Sequence, residues 1–212
     1  IQAYLRSLVV KLPCATIHFQ DRTDHGMVIR QLIEEQTDMN LVMLCEDDAF
    51  VRHPQAIGNA FQRIESGGTD IVGCPRATGS TEILQWAQSR FGNWGTDTGE
   101  SGPLLWPCFL FAKRDDLLHT DRCFGSKGWQ PEEDILGQQF SSEQAMDTFG
   151  WATLQLRNMG CRVQVEPNFR AERDRLGGWT NAPWFHVGGL SAGYGLYLLG
   201  PDCHRDGFWA SI

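Results

Sequence analysis

Three consecutive acids, Glu46, Asp47 and Asp48, follow directly on the apolar run Leu41–Cys45, and the chain turns apolar again at Ala49–Phe50. Adjacent carboxylates repel one another, so three of them at the end of an apolar segment need either full exposure or a compensating partner. A run that is apolar at every position suits a central strand covered on both faces. In open α/β sheets the carboxyl ends of such strands form the ligand crevice. Hard divalent cations prefer oxygen ligands, so acids at this position suit a metal or substrate site. A solvated turn is the alternative.

The acids take that position only if the flanking chain builds a sheet. ATIHF, 15–19, is β-branched and bounded by Pro13 and by polar residues, and reads as a strand. Residues 24–36 space Met27, Ile29, Leu32 and Ile33 for a helix face, with Asp24 as N-cap. Pro54 suits the opening of a second helix carrying Ile57, Phe61 and Ile64, closed by Gly67–Gly68. TDIVGCP, 69–75, follows as a strand. Strand, helix, strand, helix, strand is the rhythm of a parallel α/β sheet. Residues 91–103 and 124–134 are expected to be loops, since they hold glycines and few apolar anchors. LLWPCFLFAK, 104–113, reads as a strand, with Pro107 placing it at an edge or in a bulge. Residues 142–159 read as a helix stopped by Gly160, and CRVQVEP alternates as a strand.

The composition narrows the function classes. The 212 residues hold no apolar stretch long enough for a transmembrane helix, and one domain with a sizeable core is expected over 1–212. A net charge of −8 argues against a general nucleic-acid binder, though it leaves room for a local basic groove. The 7 cysteines show no CxxC pair and no zinc spacing, which fits reduced thiols in a cytoplasmic protein. The 8 tryptophans suit core, interface or a sugar-stacking wall.

The order of features from about 15 to about 190 resembles the nucleotide-sugar glycosyltransferases of the GT-A fold, particularly those like family 2. The resemblance rests on CEDDAF at a strand end, on SSEQAMDTFGWATLQLRNMGCRVQVEP as an acid-led helix with a Gly and a Pro-ended strand, and on FHVGG further on. It implies a Rossmann-like, mostly parallel central sheet flanked by helices. The nucleotide-sugar half would cover about 1–110 and the acceptor half about 111–212. The family's first strand, with its nucleotide-binding loop, has no match here, and IQAYLRSLVV reads like the end of a helix, so residues are expected ahead of Ile1.

The resemblance assigns roles residue by residue. Glu46, Asp47 and Asp48 stand as the DxD-type motif that binds the metal and the donor. Asp48, at the strand mouth, is the first choice for direct metal contact. Glu46, two residues earlier, faces the same side of an extended chain, while Asp47 points away. The family's Glu-Asp pair reads Met146-Asp147 here, so only Asp147 carries over as catalytic base, with an N-cap role as its alternative. His186 matches the histidine that completes the metal shell in many members; a hydrogen-bonded core residue is the alternative. Asp21 sits where the family often contacts the nucleotide base, and Trp179 and Trp184 are candidates for the acceptor wall. Arg170, Arg173 and Arg175 include a candidate diphosphate ligand, with a solvated basic stretch as the default. The rival acidic run Glu132-Glu133-Asp134 reads as a solvated loop. The cofactor implied is Mn²⁺ or Mg²⁺, which neutralises charge on a departing diphosphate.

The expectation is therefore transfer of a sugar from a nucleoside diphosphate sugar, UDP-sugar favoured, to a hydroxyl acceptor with inversion. The alternatives are a nucleotidyltransferase-like enzyme, a non-catalytic nucleotide- or sugar-binding module, and a transferase acting on hydroxylated DNA bases.

Overall fold

A computed structural model of the chain describes residues 25–35, 39–46, 49–51, 53, 55–77, 79–95, 101–120, 124, 128–129, 134–141, 144–166, 169–171 and 184–186. The expected strand over 15–19 and the candidate residues Asp21, Asp47, Asp48, Arg173, Arg175 and Trp179 lie outside them.

The chain is an α/β protein. Helix α1 (His25–Glu35) leads to strand β1 (Leu41–Cys45), short strand β2 (Ala49–Val51), helix α2 (Gln55–Glu65) and strand β3 (Ile71–Arg76). Helix α3 (Thr81–Phe91) precedes a hairpin of β4 (Trp94–Gly95) and β5 (Ser101–Gly102). The long strand β6 (Leu104–Lys113) runs into helix α4 (Arg114–Leu118). Short strands β7 (Gly128–Trp129), β8 (Asp134–Ile135), β9 (Gln138–Gln139) and β10 (Gln144–Ala145) lead to helix α5 (Gly150–Asn158). Strands β11 (Val163–Val165), β12 (Phe169–Ala171) and β13 (Trp184–His186) follow. No helix among the described residues is long and apolar enough to cross a membrane.

The central sheet has the order β1-β6-β3-β11. β6 is antiparallel to both β1 and β3, and β3 is parallel to β11. The expectation of a mostly parallel sheet needs correcting at the level of pairing. β1, β3 and β11 do run in one direction, but β6 is inserted against them, so two of the three ladders are antiparallel. The cause of its interior place, though not of its direction, lies in β6 itself. It is the longest and most continuously apolar strand, buried from Leu104 to Ala112, and such a segment belongs in the sheet's interior.

The two faces of the sheet are read off in alternation. Leu110 and Ala112 point to one side, where Ile33 of α1, Leu117 of α4 and Ala152 and Leu156 of α5 pack. Phe109 and Phe111 point to the other, against Ala60 and Ile64 of α2. Phe61 of α2 meets Phe111 edge-on at 5.1 Å between centroids. Fully burying a side chain of this size contributes about 1.5–3 kcal/mol, so β6 is the spine of the core. A third cluster joins Ile83 and Ala87 of α3 to Leu104, Ile135, Phe140, Met146, Trp151 and Leu154.

Pro107 lies in a bulge, as one reading of it expected, but on an interior strand. Gly73 pairs with Leu110 and the next residue, Cys74, pairs with Trp106, so the ladder skips the segment around Pro107. A residue with no N–H is placed where it interrupts no ladder bond.

Three further expectations change. The described ends of the segment 91–103 are anchored: β4 pairs with β5, and Arg157 of α5 donates to the carbonyls of Gly92 at 2.9 Å and Pro103 at 2.8 Å while stacking 3.8 Å from the Trp94 ring centroid. The segment 124–134 includes buried Phe124 and strand β7, which pairs with β10. The helix expected over 142–159 starts only at Gly150. Gln144–Ala145 are extended in β10, Met146 bridges to Gly79, and Phe149 takes a left-handed φ of 70°, which no continuous right-handed helix accommodates. Helix α3 was not anticipated; Ser80, whose hydroxyl accepts from the Ile83 N–H, and Gly92, at φ 76°, are its start and stop signals.

Candidate functional site

The first half of the site is the carboxyl end of β1. Cys45 is the last residue of β1 to pair with β6, opposite Phe109. Beyond it the Glu46 N–H donates to the Cys108 carbonyl at 3.3 Å, and the Ala49 N–H donates to the Glu46 carbonyl at 3.1 Å. Glu46 and Ala49, which flank Asp47 and Asp48 in the chain, are thus fixed at the sheet's end. β2 starts at Ala49 and pairs antiparallel with β13, in the register Ala49↔His186, Phe50↔Phe185 and Val51↔Trp184. β12, which carries Arg170, lies parallel to β13 on its other side. His186 is therefore the ladder partner of the residue that follows Asp48, although the two are far apart in the chain.

The second half is the carboxyl end of β3. Arg76 ends that strand, and its guanidinium carbon lies 3.4 Å from the centroid of the buried Trp106 ring on β6. Arg76 Nε stands 3.8 Å from Asp147 Oδ2. The other oxygen of that carboxylate, Oδ1, accepts from the Thr148 N–H at 2.8 Å. Asp147 is not the N-cap of α5. That place is taken by Phe149, without a side-chain cap bond, and Asp147 contributes only its carbonyl, which accepts from the Gly150 N–H at 3.0 Å. The weighed N-cap role is thereby corrected: the helix begins three residues later than its acid.

Between the two halves lie the buried thiols of Cys74 and Cys108. Burial pushes the Cys108 thiol well up, with neighbouring Cys74 adding to it; the negative charge of Glu46 acts in the same direction and the positive charge of Arg76 against it. Glu46 and Arg76 thus act on one thiol of β6 from the ends of the two strands that flank it.

Of the sequence candidates, the fold pairs the backbone of His186 with that of Ala49, the residue after Asp48, and sets Asp147 beside Arg76 at the end of β3. Asp134 has a local role: its carboxylate accepts from the Gly137 N–H at 3.3 Å and closes the β8–β9 turn. Trp184 is on β13 with His186. Among the described residues no three His, Cys, Asp or Glu side chains converge on a metal position; Asp47, Asp48 and the His186 side chain lie outside the described part of the structure. Arg76 and Trp106 were not singled out from the sequence. The available signal was the charged residue closing the apolar run IVGCPR, the same pattern as LVMLCE.

Comparison of the chain with protein-family models, with curated proteins and with solved structures returns no match.

Proposed function

We propose that the chain is a metal-dependent glycosyltransferase with a GT-A-like sheet, moving a sugar from a nucleoside diphosphate sugar, UDP-sugar favoured, to a hydroxyl acceptor with inversion. The observation that carries this reading is the β2–β13 register, which makes His186 the partner of Ala49, next in the chain to Asp48. His186 thus lies on the strand paired with β2, which begins one residue after Asp48. The common direction of β1, β3 and β11 supports the sheet assignment, because it puts the ends of β1 and β3 on one side of the molecule.

Carboxylate and imidazole together suit Mn²⁺ better than Mg²⁺. Asp48 and His186 would hold the ion, with Glu46 beside them. When bound, it supplies Lewis-acid neutralisation of the departing diphosphate. Asp147 accepts the proton of the acceptor hydroxyl as that oxygen bonds to the anomeric carbon and the bond from that carbon to the diphosphate oxygen breaks. A carboxylate with 45% of its side chain exposed and one oxygen turned to a neighbouring cation is accessible to such a hydroxyl.

The test is release of nucleoside diphosphate from a panel of UDP- and GDP-sugars with and without Mn²⁺. Metal-dependent release from one donor supports the transferase. Binding without release would instead mark a non-catalytic module, and release of inorganic pyrophosphate from a nucleoside triphosphate and a sugar phosphate would mark a nucleotidyltransferase.

A further inference from the structure

We infer that Arg76 is a positioning residue for the Asp147 carboxylate, an inference that rests on the transferase reading above. Arg76 is held at three points. Its guanidinium stacks on Trp106, which is itself only 6% exposed. A guanidinium lying on an indole face keeps its plane and directs its N–H donors outward from the ring edge. Its backbone is pressed by the β4–β5 hairpin: a Cβ on Gly102 would lie 2.0 Å from the Arg76 carbonyl oxygen, so the hairpin rests directly on that peptide. The third hold comes from the Gly79↔Met146 bridge, which joins the segment leaving Arg76 to the segment entering Asp147.

The pair is asymmetric. The Arg76 side chain is 22% exposed and that of Asp147 45%, so the cation is the enclosed, fixed partner and the acid is the one that reaches outward. At 3.8 Å the contact is longer than a hydrogen bond. It orients Oδ2 without occupying it as a short donor would, while the Thr148 N–H holds Oδ1. Half-exposed ion pairs of this length contribute little to folding. What such a fixed cation does contribute is a constant direction for a carboxylate on a segment that is not yet helix.

The test uses Arg76→Met, which keeps apolar contact with Trp106 and removes the charge. The expected result is a fall in kcat of roughly 10–100-fold, the cost of a misplaced catalytic group. The donor KM should change by less than about 2-fold, since no ground-state contact is lost. Arg76→Lys should restore part of the loss, and the Arg76→Met/Asp147→Asn pair should be no slower than Asp147→Asn alone. Arg76→Gln carries the same expectations and replaces Arg76→Met should the latter fail to fold. Wild-type kcat in Arg76→Met beside a slow Asp147→Asn overturns this inference alone, as do multiplying losses in the double variant. Absence of metal-dependent turnover in the wild type, or full turnover in Asp147→Asn, overturns the base reading and this inference with it.

Discussion

His186 and Ala49 are direct partners in the β2–β13 ladder, and the residue before Ala49 in the chain is Asp48. Partnered residues on adjacent antiparallel strands have Cα atoms about 4.5–5.5 Å apart, so the pairing ties His186 to the residue that follows Asp48.

If that tie serves a metal, His186→Ala should weaken the protein's hold on Mn²⁺ by roughly 10-fold or more, the scale on which even the supporting residues of metal sites act. Mn²⁺ titration followed by electron paramagnetic resonance measures it. A core role for the histidine predicts instead a lower Tm with metal affinity unchanged.

Gly102 is a position where size alone decides. Alanine there would place its Cβ 2.0 Å from the Arg76 carbonyl oxygen and 2.5 Å from the Ala77 nitrogen. Both neighbours are backbone, so the hairpin must lift, and overpacking of this kind costs typically about 1–3 kcal/mol. Chemical denaturation of Gly102→Ala should show that loss. Gly95→Ala, on the exposed partner strand of the same hairpin, should be milder.

Asp70 should contribute to the loss of stability in acid. Its carboxylate accepts from Arg162 N, Nε and Nη2 at 2.9, 3.0 and 2.8 Å and from Lys113 Nζ at 3.3 Å. The Arg162 guanidinium first of all, with Lys113 adding to it, holds the carboxyl well below the usual carboxylate range; burial opposes them. A group whose pKa is depressed on folding stabilises above its unfolded value and loses that contribution as pH falls. Tm should therefore drop as pH goes below about 4, and Asp70→Asn should flatten that part of the profile while lowering Tm at neutral pH. An Asp70→Asn profile parallel to wild type would contradict the assignment.

Asp147→Asn keeps an oxygen to accept from the Thr148 N–H, so the fold should hold. Loss of a general base costs about 10²–10⁴ in rate. Steady-state turnover measures the loss, and NMR of the product reads the anomeric configuration, which should be inverted. Retention would remove Asp147 from the base role even in a dead variant.

The parts of the fold legible in the sequence are the apolar runs and the amphipathic helices. IVGCP and LLWPCFLFA are buried throughout, LVMLC is apolar at every position although only Val42 in it is fully buried, and α1 and α2 show their inward positions at helical spacing. Strand partners were not legible, because β6 reverses the sheet through a pairing choice that no local pattern encodes. The late start of α5 escaped because it depends on Phe149 in a left-handed conformation, which a bulky residue rarely adopts and no residue type signals. Within the site, the acids and His186 stood out by type and order. Arg76 did not, since its meaning comes from Trp106 and Asp147, which reach it only through the folded sheet.

On the transferase reading, a divalent ion held at the end of β1 drives donor turnover. The most direct test of that reading is nucleoside diphosphate release by Asp48→Asn across a Mn²⁺ titration, with the wild type alongside. Nearly complete loss of metal-dependent release is predicted, with stability within about 1 kcal/mol of wild type because a strand-end acid contributes little to the fold. Wild-type release by Asp48→Asn at saturating Mn²⁺ would contradict it.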